Sequence, residues 1–446
     1  MRIAGAPVKL RMPSVTIKRG YVAKETKHSP RVLTAWAVFF LAVYLVLLTK
    51  FVTFQDVSSG AILGVYSIAV GVYILGRFAL SYFYEPHHAT DRRLLPTITF
   101  AIPVKNEEGV IRETILRAAR SDYPAGRVNI IVVNDGSTDG TLAEILLAKE
   151  IAEGRGIPVE VVDWPENRGK RQGMAECIRR SDRDLVVFVD SDTIVTPTAA
   201  RELAKYFVDD QVAAVAGHGY VANGRKNFLT KMQEVRYFVS FKAYKAAEAL
   251  FGAVTCCSGC CSAYRRSYLL EVVDSWRNET FAGMKCTYGD DRSLTNIMLQ
   301  KGYKALYAPE AAAYTFVPET FGQFMRQQLR WKKSWFRESL KASLFMWKRN
   351  PIAAFYFYLG FILTLAAPAV AVRALIWYPT TTGAAPFYYL FGLLLMAILY
   401  GLYYYVHTGD KRWVYGPIFG VFYSLVLVWQ LPYAILNLGD SKWGTR

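Results

Sequence analysis

Five long apolar stretches frame this chain, and none of them falls in its middle. Residues 32–54 and 61–83 lie toward the N-terminus, and residues 353–377, 387–406 and 414–438 toward the C-terminus. Each reaches roughly the 20 residues that a helix needs to cross a bilayer. The long segment between them is mixed in character, so the chain reads as a soluble unit held between membrane segments. An apolar content of 53% agrees. It is high for a soluble protein and low for a pure membrane bundle.

The first stretch is too long and too far from the start for a signal peptide, and no small-residue cleavage site follows it. Ahead of it, Arg2, Lys9, Arg11, Lys18, Arg19, Lys24, Lys27 and Arg31 face one acid, Glu25, whereas the loop after it carries Asp56 and no basic residue. The excess of basic residues places the N-terminus in the cytoplasm. The second stretch then brings the chain back to that side. Stretches 353–377 and 387–406, joined by the uncharged loop 378–386, read as a hairpin. Residues 414–438 carry Gly416, Pro417, Gly420 and Pro432, which sets them apart from a plain span.

In the central segment, β-rich runs at 98–102, 130–133, 159–162 and 185–189 alternate with helical spacing, as at 110–119 and 141–153. Such alternation implies a mostly parallel sheet covered by helices. Residues 321–348 interleave aromatic and aliphatic side chains with Arg326, Arg330, Lys332, Lys333, Arg337, Lys341 and Lys348. That composition suits a helix lying in the membrane interface, although a basic surface helix would look similar. The predicted organisation is therefore a basic segment (1–31), two transmembrane helices (32–84), an α/β domain (85–318), an amphipathic helix (319–350), a hairpin with a re-entrant or interfacial segment (351–440), and a short tail (441–446).

Acidic residues follow the β-like runs: Asp135, the pair Asp190 and Asp192, and the pair Asp290 and Asp291. Ligands in open α/β sheets bind beyond the carboxyl ends of strands, so Asp135, Asp190 and Asp192 are expected on one cleft. Two carboxylates on a strand-end turn can share a hard divalent cation with a diphosphate. Alternatively, they shape a turn or cap the helix that follows. Asp291 could serve as a base toward a hydroxyl, or the Asp290–Asp291 pair could cap a helix over 292–299. Lys170 and Arg171 are suited to phosphate as point charge and fork, and equally to a solvated helix start. Cys256, Cys257, Cys260 and Cys261 could bind zinc. Adjacent cysteines diverge, however, and the expected role is a packed turn in which Ser258 and Gly259 permit close backbone approach.

The net charge of +17 could suggest nucleic acid, but it concentrates beside the membrane segments, where topology accounts for it. No Walker-type phosphate loop occurs, which disfavours an ATP-driven exporter. A pure channel would leave the carboxylates without purpose. A non-polymerising lipid-linked transferase would need Asp135 and the Asp190/Asp192 pair but not the motif at residues 327–331.

In order along the chain, Asp135-Gly136-Ser137, Asp190-Ser191-Asp192, Asp290-Asp291 and Gln327-Gln328-Leu329-Arg330-Trp331 resemble the motifs of processive family 2 glycosyltransferases. The stretches NRGKR (167–171), CSGCCSAYRR (257–266), GDDRSLTN (289–296) and the terminal Trp443-Gly444-Thr445-Arg446 are most similar to hyaluronan synthases. The rhizobial chitin-oligosaccharide synthases share the cysteine-rich stretch and the QQLRW run. Cys260 stands where hyaluronan synthases usually have proline. The resemblance implies a glycosyltransferase-A-type α/β domain inserted between transmembrane helices, plus interfacial amphipathic helices. It further implies Mg2+ or Mn2+ at Asp190 and Asp192, with Asp291 as catalytic base. Substrate contacts would come from Asp135, Lys170, Asp190, Asp290, Ser258, Gly259, Cys260, Gln327, Arg330 and Trp331, and Trp443–Arg446 would gate the nucleotide. The implied partners are UDP-GlcNAc, UDP-GlcA, the growing polysaccharide and membrane lipid. The implied setting is the plasma membrane, with the catalytic domain cytoplasmic.

Overall fold

The computed structural model describes residues 34, 37–41, 43–48, 61–87, 95–383 and 385–439. The basic segment 1–31, much of the first apolar stretch and the terminal Trp443–Arg446 lie outside the described residues.

The central domain is built on an eight-stranded sheet. Its strands are β1 (Ile98–Val104), β2 (Val128–Asp135), β3 (Val159–Trp164), β4 (Leu185–Phe188), β5 (Thr193–Val195), β6 (Val212–Val221) and β7 (Ser262–Arg265), with β10 (Lys304–Thr315) following a small hairpin of β8 (Thr280–Phe281) and β9 (Met284–Lys285). The sheet order is β3-β2-β1-β4-β7-β6-β10-β5. Strand β1 is buried along its whole length, as a strand covered on both faces must be, and its run, apolar but for the hydrogen-bonded Thr99, follows from that. Edge strand β3 is only partly covered, with Glu160 and Asp163 exposed.

The expectation of a mostly parallel sheet holds for one half. Strands β3, β2, β1 and β4 are parallel neighbours. In the other half, β7 runs antiparallel to both β4 and β6, and β10 runs antiparallel to β5. The sheet is therefore mixed. The short β7, which ends the cysteine-rich stretch, cannot be distinguished from a loop by its pattern. Two apolar clusters cover opposite faces of the sheet. Cys261 belongs to one, and Cys257 and Cys260 to the other.

Three helices are long and apolar enough to cross a membrane among the described residues: Gly64–Tyr82, Pro351–Thr382 and Tyr389–Thr408. Asn350 caps the second, accepting from the Ile352 and Ala353 amides, and Pro351 opens it. The cap supplies acceptors to orphan donors, and proline needs none. This helix continues to Thr382 and ends on Gly383 in the left-handed region. The predicted loop 378–386 is correspondingly shorter, because a run of threonines bonds back to carbonyls one turn earlier. The Gly- and Pro-bearing stretch forms two helices, Lys411–Leu425 and Leu427–Leu436, meeting at 41°, the shape of a broken span or re-entrant loop. Helix Phe321–Ser343 carries the Gln327–Trp331 motif. It buries Phe324, Gln328, Ser334 and Ala342 on one face and leaves Phe321 and Leu340 exposed.

Candidate active site

Strands β1, β2 and β4 are parallel, so their carboxyl ends share one edge of the sheet. Asp190 follows β4 at this edge, and Asp192 lies two residues on, before β5. Both line a cavity of about 580 Å³, together with Asp291, Gln327, Arg330 and Trp331. Residues from three separate parts of the sequence thus meet at one wall.

One glycine organises this wall. The Asp190 amide donates to the Gly259 carbonyl at 3.0 Å. The Gly259 amide donates to Asp291 Oδ2 at 2.9 Å. A Cβ on Gly259 would stand 2.9 Å from Asp190 Oδ1, so only glycine fits without displacing that carboxylate. Asp291 sits in the first turn of helix Asp290–Gln300, whose N-cap is Gly289 in the left-handed region. The pair is therefore inside the helix, which begins two residues earlier than the 292–299 helix it was expected to cap. A Cβ on Gly289 would collide with the Ser334 hydroxyl of the Gln327–Trp331 helix. The left-handed turn thus brings the two helices together.

Lys170 pairs with Asp190 across the cavity. Burial works to lower its pKa, but the carboxylates of Asp190 and Asp291 overcome this and raise it. The ammonium is firmly charged. Burial depresses the Arg330 guanidinium, while Asp291 and Asp190 oppose the shift. Two cations therefore sit among the carboxylates, where an incoming diphosphate would need them.

Two predicted contact residues have other attachments. Asp135 does not line the cavity. Its two oxygens accept from the Arg168 and Gly169 amides at 2.6 and 2.9 Å, which fixes the turn leading into Lys170. Asp290 is 1% exposed and accepts from Arg171 Nε at 2.6 Å. Arg171 also bonds Glu279 at 2.8 Å, and Glu279 bonds Lys341 at 2.6 Å and Ser293 at 2.7 Å. Asp290 is thus tied into a buried ionic chain that reaches the far end of helix Phe321–Ser343. Such a chain keeps each buried charge paired.

The cysteines part company, as adjacent side chains do. Cys256 and Cys260 line the cavity, the Cys257 amide donates to Thr295 Oγ1, and Cys261 packs under the opposite face of the sheet. Burial pushes the Cys257 and Cys260 thiols up to about 12, so both remain protonated at neutral pH. No cluster of three or more His, Cys, Asp or Glu side chains suited to a metal occurs among the described residues. Among the carboxylates that line the cavity, Asp190 and Asp192 follow one strand end, two residues apart. That set fits a hard divalent ion whose other ligands are phosphate oxygens and water.

The cavity does not end at the sheet. Tyr73 and Arg77 of the helix Ala61–Tyr82, Gly360 and Thr364 of the helix Pro351–Val372, and Tyr423 of the bent pair line its other end. A Cβ on Gly360 would lie 2.6 Å from the Tyr73 ring. Arg77 pairs with Glu248 at 3.0 Å and lies over the rings of Tyr73 and Tyr244. Arg236 stands between Trp331 and Phe419, at 5.1 and 5.2 Å from their centroids. Sequence reasoning assigned no role to Arg77, Arg236 or Glu248, because the pairs Arg77–Glu248 and Arg236–Gln328 span 171 and 92 residues of chain. The one available signal was a charge at Arg77 inside an apolar stretch.

Comparison with known proteins agrees with this geometry. Residues 96–334 match the glycosyltransferase-like family 2. An N-acetylglucosaminyltransferase of Azorhizobium caulinodans is 31% identical over 360 residues, covering 79% of this chain and 88% of the relative. A hyaluronan synthase of Streptococcus pyogenes is 29% identical over 385 residues, covering 86% and 90%. The fold resembles a mannosyltransferase of Pyrobaculum calidifontis solved with GDP-Man and Mn2+, with a TM-score of 0.58 and 21% identity over 82% of this chain and 99% of that one. With the family match spanning more than half its length and two relatives covering most of the remainder, this chain belongs to glycosyltransferase family 2, and its domain is a glycosyltransferase of the GT-A type joined to membrane helices.

Proposed function

We propose that this protein polymerises UDP-activated sugars on the cytoplasmic face of the plasma membrane and passes the polymer into the bilayer through its own helices. The observation that carries this reading is the single cavity, lined at one end by Asp190, Asp291, Arg330 and Trp331 and at the other by Tyr73, Gly360 and Thr364 of the membrane helices. A transferase releasing a soluble product would need no such continuation.

In this reading the donor is UDP-GlcNAc, alternating with UDP-GlcA. Asp190 and Asp192 hold Mg2+ or Mn2+, which would neutralise diphosphate charge when bound. Lys170 and Arg330 meet the phosphates. Asp135 shapes the nucleotide site through the turn that it fixes before Lys170, and Asp290 does so through Arg171. Trp331 gives the acceptor sugar a flat apolar face, and Gln327, Ser258 and Cys260 border it. Asp291, held by the Gly259 amide, takes the proton from the acceptor hydroxyl as that oxygen attacks the anomeric carbon. The bond to UDP breaks on the opposite face, so configuration inverts. Trp443, Gly444, Thr445 and Arg446 close over the nucleotide, which requires the bent pair 411–436 to begin and end on the cytoplasmic side. A C-terminal tag accessible from outside intact cells would rule out that topology.

A second reading is supported by the rhizobial relatives and by Cys260: synthesis of chitin or its oligosaccharides from UDP-GlcNAc alone. Membranes supplied with radiolabelled UDP-GlcNAc, with and without UDP-GlcA, separate the two. The first reading expects polymer only with both donors, degraded by hyaluronidase. Chitinase-sensitive polymer from one donor would establish the second. Absence of any polymer would exclude both.

A further inference from the structure

The cavity wall beyond Trp331 carries two cations that the transfer reaction does not use. Arg236 lies between the rings of Trp331 and Phe419 and donates to Gln328 Oε1 at 2.8 Å. Lys332 lies over the Tyr423 ring, 4.8 Å from its centroid. Neither has a carboxylate within ion-pair distance among the described residues. This distinguishes them from Lys170, paired with Asp190, and from Arg77, paired with Glu248. The two positive charges sense each other. Burial first, and Arg236 second, bring the Lys332 ammonium down to about 8.

Holding two like charges together in a half-buried wall is unfavourable unless an anion joins them. The aromatic rings specify more. Trp331, Phe419, Tyr423 and Tyr237, whose ring lies 6.2 Å from that of Trp331, surround the pair with flat apolar faces. The combination matches a ligand with both a ring face and an anionic group. A donor nucleotide is better received by Lys170, Arg330 and the carboxylates Asp190 and Asp192, none of which pairs with Arg236 or Lys332.

We infer that Arg236 and Lys332 form a carboxylate-binding subsite for the growing chain, one that engages an acidic sugar as it leaves Trp331 toward the membrane helices. This rests on the polymerase reading above and names residues that would favour an acidic product over a neutral one. A lipid phosphate could supply the same anionic chemistry, so the test must separate the two sources.

The experiment uses the full chain in nanodiscs of neutral phosphatidylcholine, and measures binding of labelled hexasaccharides. One is alternating glucuronic acid and N-acetylglucosamine, and the other is chitohexaose. The acidic hexasaccharide is expected to bind about tenfold more tightly, the usual scale of one charged hydrogen bond. Lys332→Gln and Arg236→Gln should each bring the ratio toward one, and Lys332→Arg should keep it. Retained UDP binding by each variant shows that the protein is folded. Equal affinity of the wild type for both hexasaccharides, or an unchanged ratio in Lys332→Gln, overturns the subsite while leaving the polymerase reading intact. Loss of the preference when phosphatidylglycerol replaces phosphatidylcholine assigns the pair to lipid and overturns it too. Failure of the wild type both to bind either hexasaccharide and to make polymer would instead sink the polymerase reading.

Discussion

The two ends of the cavity handle charge in opposite ways. At the sheet end the fixed groups are mainly carboxylates, each held by backbone or by a cation: Asp190 by Lys170, Asp291 by the Gly259 amide, Asp290 by Arg171. Toward the membrane, Arg77 lies against aromatic rings and pairs with Glu248, while Arg236 and Lys332, on the wall beside Trp331, lie against rings with no carboxylate in ion-pair distance among the described residues. A carboxylate cluster suits a ligand that arrives with a divalent cation, and a cation with an aromatic face suits one that slides past in contact. Under the proposed function, this contrast divides bond making at one end from passage at the other.

The contrast breaks most visibly at Asp291. Asp291→Asn should lower polymerisation about a thousandfold, within the range for loss of a general base, while UDP binding persists. Purified variant that polymerises at the wild-type rate would remove the chemistry from the acidic end. Next comes the ionic chain behind it. Arg171 is 4% exposed and Asp290 is 1% exposed, so Arg171→Gln strands a buried carboxylate. The expected cost is about 3–5 kcal/mol, read as lost resistance of the purified protein to denaturant. A change within error would mean that the chain tolerates an unpaired Asp290.

The same small substitution at each end sharpens the comparison. Gly259→Ala puts a methyl against Asp190 and should slow polymerisation about tenfold, by the usual strain of an overpacked site. Gly360→Ala puts one against Tyr73. It should shorten or slow the released polymer by a few-fold at most, since a side chain end can shift, and leave UDP affinity alone. If Gly360→Ala instead weakened UDP binding, the two ends would not be separable. The smallest effect concerns acid. Burial works to raise the Glu279 pKa, but Lys341, Ser293 and Arg171 together pull it below the ordinary value. A depressed carboxylate stabilises the fold fully above its unfolded pKa of about 4.3, and its contribution fades as pH falls through the lower folded value. Glu279→Gln should therefore flatten acid unfolding below that point.

Much of this was legible in the sequence. The β-rich runs at 98–102, 130–133, 159–162 and 185–189 each lie in or overlap a strand; 130–133 and 185–189 are buried and apolar throughout, while the edge run 159–162 exposes Glu160. Ordered motifs correctly gathered Asp190, Asp192, Asp291, Gln327, Arg330 and Trp331 at one cavity. What stayed hidden depends on contacts far apart in the chain. The Arg171–Asp290 pair spans 119 residues, and no local pattern shows that a motif carboxylate is committed to a structural partner. Asp135 misled for a related reason. Its position at a strand end was read well, but its oxygens are taken by the turn that follows. The antiparallel β7 was missed because four residues after a cysteine-rich turn carry no period. Arg236 carries no local signal, and only its position against two rings, Trp331 and Phe419, gives it meaning.

The backbone of Gly259 has one further consequence. Its carbonyl holds Asp190 and its amide holds Asp291. The two groups belong to successive peptide planes hinged at one Cα. A displacement of that residue is therefore felt at both carboxylates. An enzyme that changes its sugar, in evolution or by design, must leave this loop alone and do its selecting with the side chains around it.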